Sequence, residues 1–204
     1  HKLPRLTAAL FLIVFAAFSV CASSLGNVIN FKKSADEVIV TSQKGKLIIT
    51  PYSSDIVKVK VIPAGETVAE KASKSVVLQP GKPRFSASVD DACITVALKG
   101  GNSVKIDKAT SQVRFISRGR TVLEEKDGIT RNGKERRISF KSQEGEAFYG
   151  CGERGVGYNL KGDTMVMFNK QNYAYGKGDR TSQMNITVPF YISSLGYGVY
   201  FDDY

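Results

Sequence analysis

The chain has 204 residues, of which 42% are hydrophobic and 24% charged, and carries a net charge of +10. This is enough for one large domain with a sizeable core, but not for a β-domain followed by a (β/α)8 barrel, which alone takes about 250 residues. The basic residues are spread along the chain, and the densest group, Lys134, Arg136 and Arg137, is broken by Glu135; a nucleic-acid face wants clustered charge with aromatic platforms between, so no nucleic acid is expected as a partner.

Residues 1–22 have the layout of a secretory signal peptide. Lys2 and Arg5 form a basic start, 6–20 is an almost unbroken apolar run, and Val20 and Ala22 stand where a cleavage site takes small residues. The run of about 15 residues is short for a spanning helix of about 20. The expectation is a secreted or periplasmic protein with no membrane association after cleavage; a membrane anchor and a lipoprotein acylated at Cys21 are the alternatives. Cleavage removes Lys2 and Arg5, which takes the charge from +10 to +8, and removes His1, the single histidine. The mature chain then has no group for histidine acid–base chemistry and no His-containing metal site. Cys93 and Cys151 remain. They are too few for a disulfide framework and read as two separate buried thiols, although an oxidising compartment would permit them to pair.

From Val28 to Phe140 the hydrophobic period is two. Val57, Val59 and Val61 alternate with Lys58 and Lys60, as a half-buried strand requires. Comparable runs lie at 38–41, 47–50, 76–78, 85–89, 94–98, 104–107, 113–116, 121–125 and 137–140. Turn signals separate them at Lys44-Gly45, Pro80-Gly81, Asp90-Asp91, Gly100-Gly101-Asn102, Arg118-Gly119, Asp127-Gly128 and Asn132-Gly133. Short strands at a spacing near ten residues predict an all-β fold, an antiparallel β-sandwich over residues 25–204. Residues 66–75 read equally as one helical turn or a long loop.

At Phe148 the lysine–valine alternation gives way to glycine, tyrosine and asparagine. Gly150-Cys151-Gly152-Glu153-Arg154-Gly155 matches G-x-G-x-x-G. A dinucleotide site needs that motif between a strand and a helix, and the glycines at 157 and 162 leave no helix to follow. Glu153 and Arg154 read as a pair that pins a loop rather than as catalytic groups. Further on, Phe168-Asn169-Lys170-Gln171-Asn172-Tyr173 is an aromatic-rich loop. Val188-Pro189-Phe190-Tyr191-Ile192-Ser193 and Gly196-Tyr197-Gly198-Val199-Tyr200-Phe201 form a hairpin turning at Leu195-Gly196, with Pro189 suited to an edge or strand start. Asn185-Ile186-Thr187 fits an N-glycosylation acceptor, a tripeptide common by chance.

In order and identity these runs resemble the segment that closes the N-terminal β-sandwich of glycoside hydrolase family 31, the α-glucosidase and α-xylosidase family. The resemblance covers residues 148–204; upstream it holds in pattern more than identity. It implies a galactose-mutarotase-like sandwich and a secreted, retaining enzyme acting on terminal α-linked glucosyl or xylosyl residues. In such enzymes two barrel aspartates about 5–5.5 Å apart act as nucleophile and acid. Those carboxylates are expected in a catalytic barrel absent from residues 1–204, so the chain, which starts on His1, is read as a fragment at both ends, inactive alone, with that barrel as its partner. No catalytic residue, cofactor or metal is assigned. The substrate-binding candidates are Gln171, Asn172, Asn169 and Tyr173. Gln171 stands where the family often has a sugar-binding aspartate, and an amide can still pair with hydroxyls. The rival reading is a stand-alone sugar-binding sandwich that stacks pyranoses on Phe168, Tyr173, Tyr175 and Tyr191. An aldose epimerase of similar fold would need a histidine acid.

Overall fold

The computed structural model describes residues 25–67, 73–81, 84–132, 135–169 and 183–202. All regular structure among them is β, and every strand pair is antiparallel. The strands are β1 (Val28–Lys33), β2 (Val38–Ser42), β3 (Gly45–Pro51), β4 (Val57–Pro63), β5 (Phe85–Val89), β6 (Cys93–Leu98), β7 (Ser103–Asp107), β8 (Val113–Ser117), β9 (Arg120–Asn132), β10 (Glu135–Phe140), β11 (Phe148–Arg154), β12 (Gln183–Ser193) and β13 (Tyr197–Tyr200).

They form a four-stranded sheet, β1-β2-β3-β4, a six-stranded sheet, β10-β9-β8-β7-β6-β5, and a three-stranded sheet, β11-β12-β13. The first two make the expected sandwich. Strand residues two apart share a face, so β2 and β3 turn Val38, Val40, Leu47 and Ile49 inward. These meet Ile94, Val96, Val104, Ile106 and Val113 of β6, β7 and β8 in one core. The register keeps the faces matched: Val40 lies opposite Leu47, which lies opposite Val61, while Val96 lies opposite Val104, which lies opposite Phe115. A one-residue slip would turn every inward side chain out, so the alternating pattern fixes the pairing.

Most turn signals land where expected. Asp90 accepts the backbone N–H groups of Ala92 and Cys93 at 2.8 and 2.7 Å, closing the β5–β6 turn. Arg118 and Gly119, at φ 50° and 79°, form a two-residue hairpin loop that suits strand twist. Cys93 and Cys151 are buried thiols on different sheets.

Three expectations need correction. Residues 76–78 are not a strand, and Val77 is 89% exposed. They belong to the connection from β4, an edge strand of one sheet, to β5, an edge strand of the other. Asp127-Gly128 is not a turn: β9 runs through it with a bulge, since Gly128 faces Ser139 while Glu125 faces Phe140. Gly128, at φ 68°, supplies the left-handed residue such a bulge needs. Pro189 is neither on an edge nor at a strand start. It lies inside β12, the central strand of its sheet. Residues 66–75 lie partly outside the described set; the described ones contain no helix.

Candidate functional site

The three-stranded sheet lies within residues 148–204, the run that stood out in the sequence. Its central feature is an irregular pairing of β11 with β12. Gly150 faces Tyr191, Gly152 faces Thr187 and Arg154 faces Gln183. Twice, β11 advances two residues while β12 advances four, so β12 bulges twice. Pro189 falls in the first bulge, where its missing N–H leaves no ladder bond unmade. Its carbonyl accepts the Phe201 N–H at 2.9 Å.

On β11, Gly150, Cys151 and Gly152 have φ of 115°, 64° and 88°. A Cβ on Gly150 would lie 2.7 Å from the Phe190 carbonyl oxygen, and one on Gly152 would meet the Ile186 carbonyl oxygen and come within 2.9 Å of Thr187 Cα. The two glycines thus let β11 lie against the bulged backbone of β12. The G-x-G-x-x-G match is an antiparallel strand, and the described residues 155–169 behind it contain no helix, which excludes the dinucleotide reading geometrically. Glu153 is exposed on this strand.

One face of the sheet covers a polar knot. Glu146, 2% exposed, precedes β11. Its Oε1 accepts the Ser193 hydroxyl at 2.6 Å and the Tyr197 hydroxyl at 2.7 Å; its Oε2 accepts the Gln143 N–H at 2.8 Å. Burial pushes the Glu146 carboxyl up, but these donors and the Ser142 hydroxyl outweigh it and hold it below its ordinary range. Burial, then the Glu146 carboxylate, pushes Tyr191 up to about 12. Burial, then its bond to Glu146, also raises Tyr197, so both phenols stay protonated. Tyr191 packs edge-on to Phe148 and Tyr197, with ring centroids 5.5 and 6.4 Å away. Both Glu146 oxygens are occupied by protein donors, so this carboxylate is a clamp between a turn and β12–β13.

Along β12, Ile186, Val188, Phe190 and Ile192 are 54, 40, 36 and 48% exposed and alternate with more buried residues. Tyr149, opposite Ile192, is 40% exposed on the same face. Val166, Met167 and Phe168 just before residue 169 are exposed as well. An exposed apolar surface of this kind, rimmed by polar residues, marks an interaction site more often than plain surface.

Of the sequence-derived candidates, Asn169 is placed and Gln171, Asn172 and Tyr173 lie outside the described residues. Asn169 Oδ1 accepts the Thr187 N–H at 2.9 Å and the Thr187 hydroxyl at 2.7 Å. The bulge leaves that N–H to a side chain, so Asn169 is tied to β12, and only its amide NH2 is left to offer a ligand. Among the stacking candidates, Phe168 is 63% exposed. Tyr191 is engaged in the aromatic cluster, and Tyr173 and Tyr175 lie outside the described residues. Sequence reasoning missed Glu146, which closes a short turn beside Glu144 with no motif around it.

Three kinds of likeness bear on the chain. The α-glucosidase 2 of Bacillus thermoamyloliquefaciens is 28% identical over 186 residues, which is 88% of this chain and 23% of that protein. A glycoside hydrolase family 31 dextranase from Flavobacterium johnsoniae, solved with glucose, superposes with a TM-score of 0.78 at 18% identity, over 88% of this chain and 22% of its own. A family 31 α-xylosidase from Xanthomonas citri gives 0.64 at 22% identity, over 84% and 19%. The chain thus spans less than a quarter of these relatives. Residues 46–204 match the family described as the glycosyl hydrolase 31 N-terminal galactose mutarotase-like domain, and the chain belongs to that family.

Proposed function

We propose that this domain is the N-terminal, carbohydrate-contacting part of a secreted retaining α-glycosidase that removes terminal α-linked glucosyl or xylosyl residues. The observation that carries the reading is the family match through residue 204, together with relatives that are an α-glucosidase, a dextranase and an α-xylosidase. The domain's part is binding and docking. Its exposed β12 face suits an apolar partner surface, and the catalytic barrel of the same polypeptide is the proposed occupant. The loop that follows Asn169 then lies at the barrel mouth, where Gln171 and Asn172 offer amides to sugar hydroxyls and Tyr173 offers a ring. Bond cleavage belongs to the barrel's carboxylate pair. Residues 1–22 direct the protein out of the cytoplasm.

The test compares the complete protein with residues 25–204 alone on aryl α-glucosides and α-xylosides. The complete protein is expected to release sugar with retained configuration, and residues 25–204 alone to release none. Turnover by the repurified short chain overturns the domain assignment. Sugar binding by the complete protein without turnover of any α-glycoside favours a binding module. In the complete enzyme, Gln171→Ala should lower kcat/KM by about 1–2 kcal/mol, the range for losing one hydrogen bond and stranding its partner. The melting temperature should hold. An unchanged kcat/KM makes Gln171 a surface amide.

A further inference from the structure

β9 belongs to two pairings. From Arg120 to Glu124 it pairs with β8; from Glu125 to Asn132 it pairs only with β10. Where it parts from β8, side chains replace the ladder. Glu125 Oε2 accepts the Val113 N–H at 3.0 Å, and Gln112 Nε2 donates to the Lys126 carbonyl at 3.0 Å. Beyond this joint the hairpin reaches the other sheet. Ile129 shares a small cavity with Leu47 of β3 and Val61 of β4, and Arg136 pairs with Glu66, just past β4, at 2.6 Å.

Glu125 lines that cavity and is 5% exposed. No charge faces it. The cavity residues from β3, β4, the segment before β1 and the β7–β8 turn are Leu47, Val61, Leu25, Thr110 and Ser111. The two hydroxyls are already engaged, Thr110 on Asp107 and Ser111 on the Gly26 carbonyl and Ser42. On β9 itself, Glu124 pairs with Lys141 at 2.8 Å, while Lys126 and Asp127 are exposed. Glu125 Oε1 has no hydrogen-bond donor among the described residues. The cavity, about 10 Å³, is only about water-sized. A carboxylate here has one donor and no counter-charge, so burial costs the ionised form more than the neutral acid.

We propose that Glu125 is a proton-operated clasp that, as the neutral acid, holds the outer part of the β9–β10 hairpin against the four-stranded sheet and, once ionised, loosens it. Burial lifts the carboxyl from 4.5 to about 7 against the opposing pull of the Val113 N–H. With the hairpin detached, Glu125 ionises at its ordinary value. The attached state therefore binds the extra proton between these values, and its hold is full below 4.5 and is lost as pH rises through 7. On those values the opening equilibrium grows roughly 30-fold from pH 5.5 to 8.5.

Hydrogen exchange on the intact chain at these two pH values, corrected for intrinsic rates, reads the clasp, because a detached two-stranded hairpin is at best marginally stable in water and does not protect its own ladder amides. Amides of 129–132 and 135–139 should lose roughly 30-fold in protection at the higher pH, while Val96 and Val104 in the core keep theirs. Glu125→Gln should abolish the difference. Equal hairpin protection at both pH values, or a loss that Glu125→Gln shares, overturns the proposal. If the variant does not fold, an NMR titration of the Glu125 carboxyl in the wild-type chain decides: a midpoint near 7 supports the clasp and one near 4.5 overturns it.

Discussion

Gly152→Ala is expected to destabilise the domain by about 3 kcal/mol, and Gly119→Ala by only about 1 kcal/mol, although both glycines have positive φ. At Gly119, φ is 79° and nothing lies within 4 Å of an added Cβ, so the substitution meets only the backbone penalty of a left-handed L-residue. At Gly152, φ is 88° and the new methyl would meet the Ile186 carbonyl oxygen and Thr187 Cα. These are backbone atoms of the bulged β12, which no rotamer change can move. Relief requires parting β11 from β12, which disturbs the pairing on both sides of the bulge and the Asn169–Thr187 contact. Urea unfolding of both variants checks this. Equal losses would show that close approach contributes nothing and that only the dihedral matters.

Where one face of a strand is buried, the fold was legible in the chain. β3 and β7 alternate buried and more exposed positions along their whole length, and β6 nearly so, because each packs one face on the opposite sheet. Bulges hid the rest. In β1 the register shifts between Val28 and Asn30, so Val28 and Phe31 both pack on the core at a spacing of three, which breaks the period of two and by itself suits a helix face as well. Asp127-Gly128 misled for a related reason: a turn and a bulge ask for the same left-handed glycine, and only the pairing partner tells them apart. Residues 76–78 were three apolar side chains without alternation, too short a run to specify a face. The resemblance found the hairpin of β12 and β13 but not the Asn169–Thr187 contact, which the β12 bulge sets up. Glu125 did leave a trace. It stands two residues after Leu123, and period two places it on the buried face of β9.

Glu146→Ala should cost about 3–5 kcal/mol at pH 7, because three buried or half-buried donors, the hydroxyls of Ser193 and Tyr197 and the Gln143 N–H, lose one shared acceptor. For a chain of this size that is a fall in Tm of roughly 10 °C. Glu146→Gln should lose less, since the amide keeps one acceptor and sets its NH2 against one of the former donors. The pH dependence separates this clamp from the joint in β9. Burial opposes ionisation of both glutamates, and the donor count decides the outcome. Glu125 has one donor and rises, whereas Glu146 has several and falls. Because the folded value of Glu146 is depressed, its contribution is present above the ordinary carboxylate value and is lost as pH drops through the folded one. The gap between wild type and Glu146→Gln should therefore be widest at neutral pH and shrink in acid. For Glu125→Gln the ionised wild type is the strained form, so the comparison moves in the wild type's favour as pH falls. Urea midpoints of the three proteins at pH 3.5, 5.5 and 8 measure both slopes. A Glu146→Gln gap that is constant or grows in acid would mean that Glu146 is folded as the neutral acid and that the Ser193–Tyr197 knot is held by ordinary neutral hydrogen bonds.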